Sequence, residues 1–128
     1  MKTALPSPTI AEQRRFYRFQ DVGCIACIQL DPPRHSVPEV HHLLSGGRRR
    51  GHRYTVPLCP WHHRGVGGPV RQRAAILGPS LAISPDNFRL HFGCDEDLLT
   101  MTDAIINKLN ELVRSHMPYE VACDVPGR

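Results

Sequence analysis

Cysteine and histidine recur in the first half of this 128-residue sequence at spacings that suit metal ions. Cys24 and Cys27 are separated by two residues, and Cys59 and His62 repeat that spacing further on. Two such half-sites supply three thiolates and one imidazole, a standard donor set for a single tetrahedral structural zinc. A lone pair of cysteines would fit redox chemistry as well; the matched second half-site favours zinc. His62 mirrors the position of Cys27, whereas its neighbour His63 would leave an offset geometry. A segment too small to build its own core can be folded by such an ion.

Four further histidines, His41, His42, His52 and His63, are left over from that site. Adjacent residues of a strand point to opposite faces, so His41 and His42 cannot share one task. One can bind a metal while the other activates water. Between them and Cys59 lies Gly46-Gly47-Arg48-Arg49-Arg50-Gly51-His52-Arg53, a short and very basic loop. Arginine's planar fork suits phosphate oxygens, so Arg48, Arg49, Arg50, Arg53 and Arg64 are read as contacts to nucleic-acid phosphates. Such contacts carry no sequence information, and little base specificity is expected.

The elements that position these residues follow from local signals. Residues 37–44 read as a strand carrying the histidine pair, Gly46-Gly47 turns the chain, and residues 53–58 return as a second strand. Cys59-Pro60 suits a helix start, because proline is favoured at the first helical position. Before this unit, Thr9 and Glu12 form a capping box for a helix over residues 10–20, with Ile10, Gln13, Phe16, Tyr17 and Gln20 on its packed side. Arg14, Arg15 and Arg18 fall on the other side, facing solvent or phosphate. After it, Gly65-Val66-Gly67-Gly68-Pro69 reads as a mobile loop, residues 72–77 as one or two helical turns, and residues 88–92 as a strand by weak alternation. The clearest helix spans residues 96–116, where Leu98, Met101, Thr102, Ile105, Ile106, Leu109, Leu112 and Val113 form a 3.6-period stripe behind an acidic start. That helix is scaffold or a dimer face. The fold expected is α+β: a small zinc-stabilised ββα unit over residues 23–65, packed with an N-terminal and a long C-terminal helix in one domain over residues 9–118. Residues 1–8 are expected to be flexible and 119–128 a poorly ordered tail.

Charge distribution supports a phosphate-rich partner. Fourteen of the sixteen basic residues are arginine, and eight of these lie between Arg34 and Arg73 beside a single acid, Glu39. No apolar run approaches the ~20 residues of a membrane span, and the first residues lack the apolar region of a secretory signal. The expectation is a cytoplasmic protein, in which five cysteines argue for metal or free thiols over disulfides. Cys94 and Cys123 stand alone and read as buried or incidental thiols.

The pattern from Cys24 and Cys27 through His41-His42 to Leu58-Cys59, His62 and His63 resembles the zinc-containing HNH endonucleases, which have the ββα-metal fold. The run His-His-Leu-Leu-Ser-Gly-Gly-Arg-Arg-Arg-Gly-His with Pro-Leu-Cys-Pro-Trp-His-His-Arg-Gly is similar to a narrower group, the phage recombination-enhancement (Ref) nucleases, which cut DNA in dependence on RecA filaments. The similarity covers about residues 20–100. It implies His42 as general base, and His41 and His63 as ligands of one catalytic Mg²⁺ or Mn²⁺. It also implies DNA and a RecA filament as partners, in the cytoplasm of a bacterial host cell. The sequence departs from the pattern at the central asparagine, where it has Tyr54 with His52 close by. His52 is open between bracing the loop, adding a ligand to the catalytic metal, and touching phosphate. The competing class is a non-catalytic zinc module that binds nucleic acid, which has no need of His41, His42 and His63.

Overall fold

The computed structural model describes residues 5–115. Helix α1 (Ile10–Val22) is followed by a 3₁₀ turn (Cys27–Gln29), strands β1 (Glu39–His42), β2 (Leu44–Ser45), β3 (Arg48–Arg49) and β4 (Thr55–Leu58), and helices α2 (Pro60–Arg64), α3 (Val70–Leu77), α4 (Pro85–Phe92) and α5 (Asp95–Ser115). β1 pairs antiparallel with β4, setting His41 opposite Val56 and His42 opposite Thr55. The arginine loop extends this hairpin as a second short ladder, with Leu44 opposite Arg49 and Ser45 opposite Arg48. The architecture is therefore α+β, and a strand, a returning strand and a helix follow in the order expected. Among the described residues no helix is long and apolar enough to cross a membrane.

The capping box forms as read: Glu12 Nα–H donates to Thr9 Oγ1 at 3.2 Å, and Thr9 N–H donates to Glu12 Oε1 at 2.9 Å. The packed face of α1 is not the one expected. Tyr17 is 72% exposed and Ile10 is exposed, while Phe19 and Val22 are buried. Arg15 fixes this rotation. Its guanidinium donates to Thr55 Oγ1 (3.1 Å), Thr55 O (2.5 Å) and Asp103 Oδ1 (2.6 Å), tying α1 to β4 and α5. Residues four and seven further on share that face, so Phe19 and Val22 meet Ile106, with Val40 and Leu109 around them. Arg15 is thus a structural bridge, not part of a solvated face. Gly23 ends the helix at φ 75°, and a Cβ there would lie 2.8 Å from the His35 ring, so two reasons demand glycine.

Residues 88–92 belong to α4, which corrects the strand expected there. Pro85 occupies the first turn with Asp86, both favourable at a helix start. Phe88 and Phe92 then fall four residues apart and are both buried, while Leu90 is 86% exposed. A strand would have put all three on one face. We expect Phe88→Ala to cost about 3–5 kcal/mol and Leu90→Glu to leave stability within about 0.5 kcal/mol, as read from urea midpoints. Equal losses at the two positions would contradict the helix.

α3 begins at Val70, two residues before the expected start. The acidic N-terminus of α5 matches expectation, and its stripe does so at Leu98, Thr102 and Ile106, which are buried; Leu99, outside that stripe, is buried as well, while Leu112 and Val113 at its far end are exposed. Cys94 is exposed, not buried, and its thiol donates to Asp97 Oδ2 at 3.2 Å. Cys123 and the tail expected over residues 119–128 lie outside the described residues. The main core gathers Ile25, Leu43, Val56, Leu58, Trp61, Phe88, Phe92 and Leu98 around Cys24, Cys27 and Cys59. The core and the candidate zinc site are one object.

Candidate functional site

Three elements deliver the cysteine–histidine cluster. The turn after α1 presents Cys24 and Cys27, Cys59 is the N-cap residue of α2, and His62 sits one turn into that helix. The four ligand atoms lie within 4.8 Å of one another, and all four residues are buried. Cys27 Sγ and Cys59 Sγ are 3.8 Å apart, and His62 Nδ1 lies 3.5, 3.5 and 3.3 Å from the sulfurs of Cys24, Cys27 and Cys59. Zinc bonds of about 2.3 Å to sulfur and about 2.0–2.1 Å to nitrogen give tetrahedral edges of about 3.8 Å between sulfurs and about 3.5 Å from sulfur to nitrogen. The Cys27–Cys59 edge and the three edges to His62 Nδ1 match these lengths.

Outer contacts hold the donors in the required state. His62 Nε2–H donates to the Leu77 carbonyl at 2.7 Å, which leaves Nδ1 to face the sulfurs. Ser36 Oγ–H donates to Cys27 Sγ at 3.1 Å, and the amides of Cys27 and His62 point at Cys24 Sγ and Cys59 Sγ. Burial pushes the Cys24 thiol strongly up, while hydrogen bonds from Cys24 and Cys27 drive Cys59 strongly down. Burial alone would lower His62, but hydrogen bonds to the Cys27 and Cys59 sulfurs and to Leu77 carry it up to about 9. The proton held there is the one a divalent cation displaces on binding.

The remaining histidines divide between the two faces of β1. On one face, His41 meets His63 with ring centroids 5.0 Å apart. His63 Nδ1–H donates to Glu39 Oε1 at 2.8 Å, so that in a neutral ring the lone pair is on Nε2. Arg64 grips the same carboxylate through two bonds of 2.9 and 2.6 Å. These bonds, Arg64 first and His63 after it, hold the Glu39 carboxyl down to about 2. A carboxylate–histidine pair of this kind orients a metal ligand. Burial, with the charges of His63, His42 and Arg89, pushes His41 down to about 4, so its ring is neutral and able to ligate at neutral pH. His41 also lines a recess of about 200 Å³ with Leu44, Leu81, Pro85, Arg89 and Asp95.

On the other face, His42 Nε2 lies 3.0 Å from His52 Nδ1, and His52 Nε2 lies 2.7 Å from the Pro6 carbonyl oxygen. Phe16 sets its ring edge-on to both imidazoles. Burial lowers the His42 pKa, with Arg49, His52 and His63 adding to it. His42 and His63 are therefore close enough to feel each other's charge although their hydrogen bonds run in opposite directions.

Arg48, Arg49 and Arg53 are exposed along the extended hairpin. Arg50 instead pairs with Glu96 at 2.5 Å and covers the Tyr54 ring at 4.4 Å, and Arg64 is committed to Glu39. Sequence reading missed Glu39, although its place two residues before His41 on a strand was a usable signal. It also missed Arg89 and Pro6, for which no local signal exists.

With this geometry in view, the sequence was compared with known proteins. Residues 8–107 match the family described as recombination enhancement, RecA-dependent nuclease. The chain belongs to that family. The match runs from the residue before the capping box to well inside α5, and so takes in both histidine faces and the cysteine cluster. No curated protein matches the chain. The family's description is that of a nuclease acting in recombination.

Proposed function

We propose that this RecA-dependent nuclease is a metal-dependent DNA endonuclease of the HNH class, with one structural zinc on Cys24, Cys27, Cys59 and His62. The observation that carries the reading is the division of His62 from His63. One faces three cysteines inside the core; the other, one residue on, is oriented by Glu39 toward His41. In this reading His41 and His63 hold the catalytic Mg²⁺ or Mn²⁺. When bound, such an ion would supply positive charge to offset the negative charge developing on the departing 3′ oxygen. His42 takes a proton from the attacking water as the new bond to phosphorus forms, and the ring is suited to this because burial keeps it neutral. The bond to the 3′ oxygen breaks, leaving a 5′ phosphate and a 3′ hydroxyl. Arg48, Arg49 and Arg53 meet backbone phosphates from the hairpin; Arg50 and Arg64 join them only by giving up Glu96 and Glu39.

A plasmid-nicking assay with Mg²⁺ or Mn²⁺, run with and without RecA-coated single strands, tests the reading. Cleavage by the wild type that depends on the cation supports it. Binding of DNA with no cleavage in any condition would return the protein to the class of non-catalytic zinc modules.

Two further outcomes are expected. Glu39→Ala weakens Mn²⁺ binding by about tenfold, measured by calorimetric titration, because His63 loses the acceptor that orients it. Arg49→Gln lowers the slope of log affinity against log salt by about one, whatever the DNA sequence, as measured by fluorescence anisotropy.

A further inference from the structure

The hydrogen bonds behind His42 have a direction that the Pro6 carbonyl dictates. A carbonyl oxygen only accepts, so the 2.7 Å contact places a proton on His52 Nε2. In a neutral His52 ring Nδ1 is then a bare lone pair. The 3.0 Å contact between that lone pair and His42 Nε2 is therefore a bond donated by His42. It follows that His42 keeps its proton on Nε2 and leaves Nδ1 bare.

Resting on the reading of His42 as the base, we propose that His52 is a positioning residue that fixes the Nε2–H tautomer of His42. Nδ1 is thereby the nitrogen that receives the proton of water, and the Pro6 backbone is the end of the relay. His52 is then not a ligand of the catalytic cation, since both of its ring nitrogens are engaged within the protein.

The surroundings are built to hold this arrangement. Thr55 is fully buried, and its hydroxyl donates to the His52 carbonyl at 2.8 Å while Arg15 binds both Thr55 oxygens. That anchors the backbone at His52 to α1 and β4. Gln13 donates to the Pro8 carbonyl at 3.2 Å, which keeps the segment carrying Pro6 against the start of α1. The His42 and His52 rings meet edge-on at 5.2 Å and 67°, with Phe16 closing the side. The segment before α1 thus reaches the catalytic histidine through a single intervening ring.

The test uses the full chain loaded with zinc. Ring ¹⁵N spectra, with His42 assigned by its loss in His42→Ala, read the tautomer directly. Wild type is expected to show His42 protonated on Nε2, and His52→Ala to show a mixture of the two tautomers. In cleavage, His52→Ala is expected to lower kcat by about 10–100-fold with KM for DNA unchanged. His52→Gln is expected to recover most of that loss, because its amide offers an acceptor to His42 and a donor to Pro6. A proton on Nδ1 of His42 in the wild type would overturn the proposal. So would a folded His52→Gln no more active than His52→Ala, or a loss of Mn²⁺ binding in His52→Ala, which would make His52 a cation ligand. If the wild type cuts no DNA, the nuclease reading falls while the ring spectra still decide the tautomer.

Discussion

Removing the imidazole of His42 is expected to slow DNA cleavage by about 10²–10⁴-fold while the fold and its zinc remain. The size follows from losing a positioned base whose work bulk water does poorly. The selectivity follows from location. His42 is only partly buried, on the face of β1 away from the cysteine cluster, so its ring is not a member of the main core. Circular dichroism and zinc content of His42→Ala should match the wild type, and the rate should not. Wild-type activity in the variant would remove His42 from the chemistry. The pH profile gives a second check. Burial lowers the His42 pKa, so its basic form persists to lower pH than that of a free imidazole. Activity is therefore present at neutral pH, and its acid limb falls below the ordinary histidine range.

Loss of zinc is expected to unfold the protein outright. Cys24, Cys27, Cys59 and His62 are buried at the centre of the main apolar cluster, with Phe92 set edge-on to the His62 ring at 5.0 Å. Binding at such sites is worth about 10–16 kcal/mol at neutral pH, as large as the whole stability of an ordinary domain, about 5–15 kcal/mol. A strong chelator, or His62→Ala, should abolish the helical signal and the cooperative thermal transition together. His63→Ala, one residue on, should leave both intact, because His63 binds Glu39 outside the cluster. Purified protein that contains no zinc and still melts cooperatively would remove the structural metal.

The contrast between those two adjacent histidines shows what could be read before any coordinates. The paired spacings of Cys24 with Cys27 and Cys59 with His62 made His62 the fourth member of the cluster, and the structure sets its Nδ1 among the three sulfurs. Strand alternation separated His41 from His42, and they do face different partners. Both inferences use local geometry: a chelate spacing and a period of two are fixed by the backbone within a few residues. The capping box of α1, the start of α2 at Pro60 and the stripe of α5 were legible for the same reason.

What failed or stayed open depended on distant partners. The rotation of α1 was decided by Arg15 reaching Thr55 and Asp103, forty and eighty-eight positions away. Residues 88–92 alternate as a strand would, yet two phenylalanines four apart found a common core wall beside His62. Tertiary packing chose the helix there, because the helical period buries both rings and leaves Leu90 in solvent. The same holds for His52, whose partners His42 and Pro6 lie ten and forty-six positions away. Sequence alone determined that Cys24, Cys27, Cys59 and His62 form one cluster and that His41 and His42 meet different partners, because both are matters of side-chain type and short spacing. Only the tertiary structure decided how each imidazole is oriented, because a ring's free nitrogen is set by whatever the other nitrogen meets across the fold.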